Sequence, residues 1–341
     1  MVSTRADGVD PHGREAESPL GMPASAWREI LWRVWIKTGT DNIGLLAAGI
    51  AFYAFLSFVP LLGALVMTYG LIADPATIQS HMQMIIDLVP KDAAKLILDQ
   101  LVNLMTTASG KKGLGLLIAL LISIYGATRA SGAIIMALNV VYEQHERRNI
   151  LKTTGVSFVL IIGAVMVAIV GLLAASALAL VGKLADGLGV FATVGINVAT
   201  FAVAAVLTSI AIGACYRFAP DRHDAKWRWL SIGSGLATLL WLVATLGFGA
   251  YASTIGNYNA TYGSLGAVVV LLMWLWVSAY AILLGAEINA EAERQTAQDT
   301  TTGRAKPLGR RGATVADEVA GEPGTEPSEE KSRAIARNAA P

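Results

Sequence analysis

Five stretches without a charged side chain, residues 42–73, 113–128, 153–182, 187–216 and 229–286, constrain this chain more than any other feature. A helix needs ~20 apolar residues to cross ~30 Å of hydrocarbon, and soluble cores are assembled from shorter pieces. The last stretch is long enough for two crossings, and its polar, glycine-containing segment 253–264 supplies a turn between them. Six helices follow, over about 45–72, 114–136, 155–181, 190–216, 230–251 and 265–285. Each must be helical, because lipid leaves backbone amides no water and no run has the strict alternation of a barrel strand. The expected fold class is therefore all-α, a polytopic membrane protein.

Composition agrees. Of 341 residues 54% are hydrophobic and 15% charged, against roughly 25% charged in soluble domains. The net charge of +1 gives no global attraction to nucleic acid. Lys and Arg nevertheless gather near alternate helix ends, including Arg28, Arg33, Lys37, Arg147, Arg148, Arg222, Lys226 and Arg294. The positive-inside rule then places both termini in the cytoplasm, with Trp27, Trp32, Trp35, Trp227 and Trp229 at the inner headgroup level. No cleavable signal peptide is visible among residues 1–26, which carry charges and no apolar core. The one cysteine, Cys215, reads as a small buried hydrophobe.

Outside the spans the chain divides further. Residues 1–26 and 291–341 have the mixed, non-periodic composition of disordered tails. Residues 27–40 alternate charged and apolar positions as a helix lying in the inner interface, ahead of a transmembrane domain over 41–290. Asp74 and Pro75 open an amphipathic helical hairpin over 74–112 on the outer face, broken at Pro90.

No catalytic set emerges. His12, His81, His145 and His223 lie on separate segments without ligand spacing, and no phosphate-cradling loop is present, so neither a metal nor a cofactor is expected. The polar residues within or beside the spans are the candidates for substrate contact. Pro60 removes an amide donor from the first crossing and presses on the carbonyl of Leu56, with Ser57 placed to relieve the kink and Tyr53 one turn earlier. Arg129 either snorkels to headgroups or pairs within the bundle, or it binds an anionic substrate. Glu287 ends the sixth crossing, and an ion pair with Arg129 or another base is the simplest account of it. Asn257, Tyr258 and Tyr262 form an uncharged polar cluster between the last two helices, suited to a polar solute, to a lipid headgroup or to a hydrated turn. Small residues four apart, Gly126 with Ala130, Ser231 with Gly235, and Gly263 with Ala267, favour close helix contact.

The segments Ala47-Ala-Gly-Ile-Ala-Phe-Tyr-Ala-Phe-Leu-Ser-Phe-Val-Pro-Leu61, Ala137-Leu-Asn-Val-Val-Tyr142, Tyr216-Arg-Phe-Ala-Pro220, Tyr262-Gly-Ser-Leu-Gly-Ala267 and Leu283-Leu-Gly-Ala-Glu-Ile-Asn289 resemble the YihY/BrkB family of bacterial inner-membrane proteins, in order and over about 30–293. The resemblance implies a six-helix protein of the bacterial plasma membrane and adds Asn139 to the candidates. Members have carried the labels ribonuclease BN and virulence factor. The nuclease label finds no metal-binding carboxylates here. The sequence thus leads to a transporter or flippase-like protein for a small polar solute or a lipid, working between helices one, two, five and six. The alternative is a non-transporting envelope scaffold. The bilayer is the one certain partner, nucleic acid is not expected, and the sequence leaves the oligomeric state open.

Overall fold

The computed structural model describes residues 10–72, 112–184, 190–254 and 264–321. Among them the chain is all-helical, with one isolated antiparallel bridge between Ala225 and Thr301. A short helix α1 (Ala24–Thr40) precedes α2 (Ile43–Ile72), α3 (Lys112–Val141), α4 (Ile150–Leu184), α5 (Val190–Phe218), α6 (Trp227–Thr254) and α7 (Ser264–Gln295). A single turn, α8 (Thr314–Asp317), closes the described chain. Five of these helices are long and apolar enough to cross a membrane, or six if α1 and the start of α2 count as one bent span. The expected outer hairpin over 74–112 lies outside the described residues, apart from Lys112, which opens α3. So do Asn257, Tyr258 and Tyr262.

The apolar runs explain which faces are open. Val159, Ile162, Val198, Phe201, Val243 and Leu246 are more than half exposed along α4, α5 and α6. In water such a belt would aggregate, whereas lipid covers it at no such penalty. The inner faces meet through small residues and single hydrogen bonds. Trp241 Nε1 donates to Ser278 Oγ at 3.1 Å across α6 and α7, and Ser131 Oγ donates to the carbonyl of Ser157 at 3.2 Å across α3 and α4.

α7 is the central helix: it contacts α1, α2, α3, α6 and α8. Its closest neighbour is α6, where Gly233 and Gly285 cross with no room for a side chain. A Cβ on Gly233 would stand 2.2 Å from the carbonyl oxygen of Gly285, and one on Gly285 would stand 2.5 Å from that of Gly233. The same device joins α2 to α3, where a Cβ on Gly126 would meet the backbone of Ser57 at 2.8 Å. Gly126 thus fulfils its expected packing role. Gly235 does not, since a Cβ there would touch nothing within 4 Å; the tight crossing uses Gly233, half a turn away.

α1 packs Ala26, Ile30 and Val34 against Trp229, Ile288 and Ala292 and exposes Leu31, Trp32, Trp35 and Ile36 on the other side. That division suits a helix with one face on protein and one in an interface. Trp229 departs from the expected aromatic belt, because α1 covers it. α1 ends at Asp41 and Asn42. Asn42 takes φ 52, its carbonyl accepts from the amides of Leu45 and Leu46, and the chain turns through 61° into α2.

The composition of the two tails points to disorder, but residues 296–321 are ordered here against the loops 142–149 and 219–226, and residues 10–23 against α1 and residues 295–297. Lys226 N donates to the carbonyl of Thr300 at 2.9 Å, and Ala297 N to that of Arg14 at 2.8 Å. Arg311 is buried and donates to the carbonyls of Ala297, Gln298 and Ala316. These segments gain order from polar contacts with distant residues, which a search for apolar periodicity does not register. Replacing Gly233 or Gly285 by Val should lower the stability of the purified protein by about 1–3 kcal/mol or more. Gly235→Ala should leave it unchanged, as thermal unfolding in detergent will show.

Candidate functional site

Among the described residues, the ion pairs gather at one end of the bundle, around the end of α7. Its last turns read Glu287, Glu291, Glu293 and Arg294, with the three carboxylates fully buried. A lone carboxylate in so dry a place is very costly, so each needs a cation, hydrogen bonds or a proton.

Glu293 has the first two. Arg222, its side chain also buried, reaches it through two bonds, Nη1 to Oε1 at 3.2 Å and Nη2 to Oε2 at 2.6 Å. Thr300 Oγ1 adds a third at 2.9 Å, and the guanidinium carbon of Arg222 lies 4.7 Å from the ring centre of Tyr142. Glu291 is held by Arg33 Nε at 2.5 Å and by Arg294 Nη1 at 3.0 Å. Arg33 also donates to Gln295 Oε1, which pins α1 to the end of α7.

Beside these pairs, Glu143 follows the end of α3 in a left-handed conformation, φ 50. Lys37 and Arg294 both bind it, Arg294 at 2.9 Å. Burial pushes the Glu143 carboxyl up, but Arg294 and Lys37 more than reverse this and hold it at about 2, against an ordinary 4.5. Lys37 also lies 3.8 Å from Asp41 Oδ2.

Glu287 differs from its neighbours. No donor group reaches either of its oxygens or Oδ2 of Asp41, and the two carboxyls lie against each other. The expected pairing with Arg129 is not formed: Arg129 is exposed, with its guanidinium carbon 5.2 Å from the ring centre of Tyr125 on the same helix. α3 leaves Arg129 on an outward face.

The other candidates are dispersed. Asn139 bridges two loops, donating to Glu146 Oε2 at 2.9 Å and accepting from Asp221 N at 2.7 Å, so its amide is fully engaged by protein. Ser57 donates to the carbonyl of Ala54 at 3.0 Å and lies in the seam with Gly126; it does not serve the carbonyl of Leu56 as the Pro60 kink suggested. Pro60 stands inside a single helix α2, and Tyr53, one turn earlier than Ser57, is half-buried with its ring 5.5 Å from that of Phe52. Asp41, Glu143, Glu291, Glu293 and Arg222 were not among the sequence candidates. The four-residue spacings Lys37 to Asp41 and Glu287 to Glu291 were the signal for part of them. Among the described residues no three His, Cys, Asp or Glu side chains converge as metal ligands.

The sequence model of the virulence factor BrkB family matches residues 34–309. A putative ribonuclease-like protein, YfkH, of Bacillus subtilis is 31% identical over 188 residues, 54% of this chain and 68% of that protein. UPF0761 membrane proteins of Ralstonia nicotianae and Rhodospirillum centenum are 29% and 26% identical, over 74% and 77% of this chain. The chain spans 56% of the length of each of those two. No solved structure matches.

Removing one member of a buried pair leaves an uncompensated charge, a loss of about 3–5 kcal/mol, whereas replacing both by apolar groups is often neutral. Arg222→Met alone should therefore destabilise the protein strongly, and adding Glu293→Met should recover most of the loss, measured by thermal unfolding. The depressed Glu143 carboxyl contributes stability that is complete above 4.5 and fades as pH falls towards 2. Hydrogen exchange in α1 should accelerate over that window, and Glu143→Gln should remove the acid-dependent part.

Proposed function

The chain belongs to the virulence factor BrkB family of membrane proteins, and from that premise we propose that it is a transporter or flippase-like protein for a small polar solute or an amphipathic lipid. The observation that carries this reading is Glu287, a buried carboxyl that no donor reaches, lying against Asp41 at the elbow between α1 and α2. Ionisable groups in or beside a membrane core are expensive. Purely structural ones are paired, so a lone carboxyl at a helix junction marks a working site. In this reading the charged end faces the cytoplasm, in keeping with the positive-inside rule, and the membrane is the bacterial plasma membrane.

The arrangement of helices supports it. α7 packs against α1, α2, α3 and α6, and the elbow at Asp41 and Asn42 gives α1 a place to pivot against α7.

Reconstituted in liposomes, the protein should move one of a panel of polar solutes or fluorescent lipids, and Glu287→Gln should reduce flux at least tenfold with insertion and folding unchanged. A folded protein that moves nothing on the panel, or whose flux ignores Glu287→Gln, defeats the reading and favours the scaffold.

A further inference from the structure

We propose that Asp41 and Glu287 form a proton-binding site, in which Glu287 holds the proton away from water and Asp41 relays it to solvent at the elbow between α1 and α2. The functional meaning of this site, proton coupling, rests on the transport reading above, whereas its chemistry does not.

The charges around the pair give the reason. On α1, Lys37 reaches Asp41 at 3.8 Å but also binds Glu143. From the end of α3 come Glu143 itself and the buried hydroxyl of Tyr142. On α7, Glu291 lies one turn beyond Glu287 and already engages Arg33 and Arg294. α6 brings no charge here: it meets α7 through the Gly233 amide and the Leu230 carbonyl, both bonded to Asn289. From α5, the Tyr216 hydroxyl donates to the carbonyl of Ile282. Glu318, at the solvent edge, lies 3.4 Å from Arg294.

The three cations here, Arg33, Lys37 and Arg294, lie against Asp41, Glu143, Glu291 and Glu318, and Glu287 is left over. A fully buried carboxyl with no donor is stable there when neutral. Asp41 is suited to the relay because its side chain keeps 16% of its exposure while that of Glu287 has none. Burial also holds the Asp41 carboxyl above its ordinary value in spite of Lys37.

Loss of the proton, by way of Asp41 to water, would leave two adjacent carboxylates in a dry site. The elbow is the joint best placed to relieve them. α1 is tied across it to the end of α3 by Lys37, and Asn42 already holds the left-handed conformation that sets the angle. Proton release is thereby coupled to movement of α1.

The test needs no substrate. Infrared titration of the full chain in nanodiscs should show the carbonyl stretch of one protonated carboxyl that persists at neutral pH and disappears in alkali. Glu287→Gln should abolish it, and Asp41→Asn should shift its midpoint by roughly one pH unit, a tenfold change in proton affinity. Hydrogen exchange at residues 39–43 should rise across the same titration. If Glu287→Gln does not fold, the shift with Asp41→Asn alone decides. The proposal is overturned if the band survives Glu287→Gln, if it titrates only near pH ~4 like an ordinary carboxyl, or if sodium at fixed pH removes it. A titrating proton without flux of any solute counts against the transport reading alone. Flux without the titration counts against this proposal alone.

Discussion

Three carboxylates buried on the last turns of one helix are the constraint around which this molecule is arranged. Glu287, Glu291 and Glu293 sit at zero or near-zero exposure, so the rest of the chain must bring cations to them or leave them protonated. Arg33 arrives from α1, Arg222 from the loop between α5 and α6, and Arg294 from α7 itself. Two of them come from segments outside α7, and α1 docks through its apolar face as well. The loop before α6 and residues 296–321 are tied to the acidic end of α7 through Arg222 and Thr300.

Helix packing and charge pairing divide the work along the axis. Within the apolar length the bundle relies on close backbone approach, at Gly233 with Gly285 and at Gly126 with Ser57, because lipid competes for apolar contacts as well as protein does. At the charged end, water on one side and protein on the other allow hydrogen-bonded ion pairs that would be prohibitive further in. Asn139 connects the two regimes: it stands on α3 and clamps the loops that carry Glu146 and Asp221.

The sequence made the helices legible and the site much less so. Charge-free runs gave α5 as 190–216 against Val190–Phe218 and α6 as 230–251 against Trp227–Thr254, because membrane insertion depends on local composition. The sixth crossing was expected to end at 285, yet α7 continues to Gln295. Glu287, Glu291, Glu293 and Arg294 resemble the start of a solvated tail until their partners are known, and those partners lie as much as 258 residues away in the chain. Arg129 was conspicuous as the one base in an apolar run, but conspicuousness in sequence reflects insertion energetics, and α3 turns it outward beside Tyr125. Asp41 was inconspicuous because nothing local reveals that α1 folds back upon α7.

The position of Glu287 bears on two accounts of why such a residue is tolerated. Were it only a structural element, a neutral glutamine would fill the same volume and offer a donor to the unsatisfied Oδ2 of Asp41, at no desolvation penalty. Glu291 and Glu293 earn no such objection, since their arginines require a full negative charge. On the proton-binding proposal, a carboxyl placed where an amide would bond better has the one property that an amide lacks, exchange of a proton with its surroundings. The neighbour that leads to water is Asp41, and Asp41 is also the last residue before the chain turns through 61°. On that proposal, protonation and the angle of α1 would be set at the same few residues, at the elbow and not in the middle of the bundle.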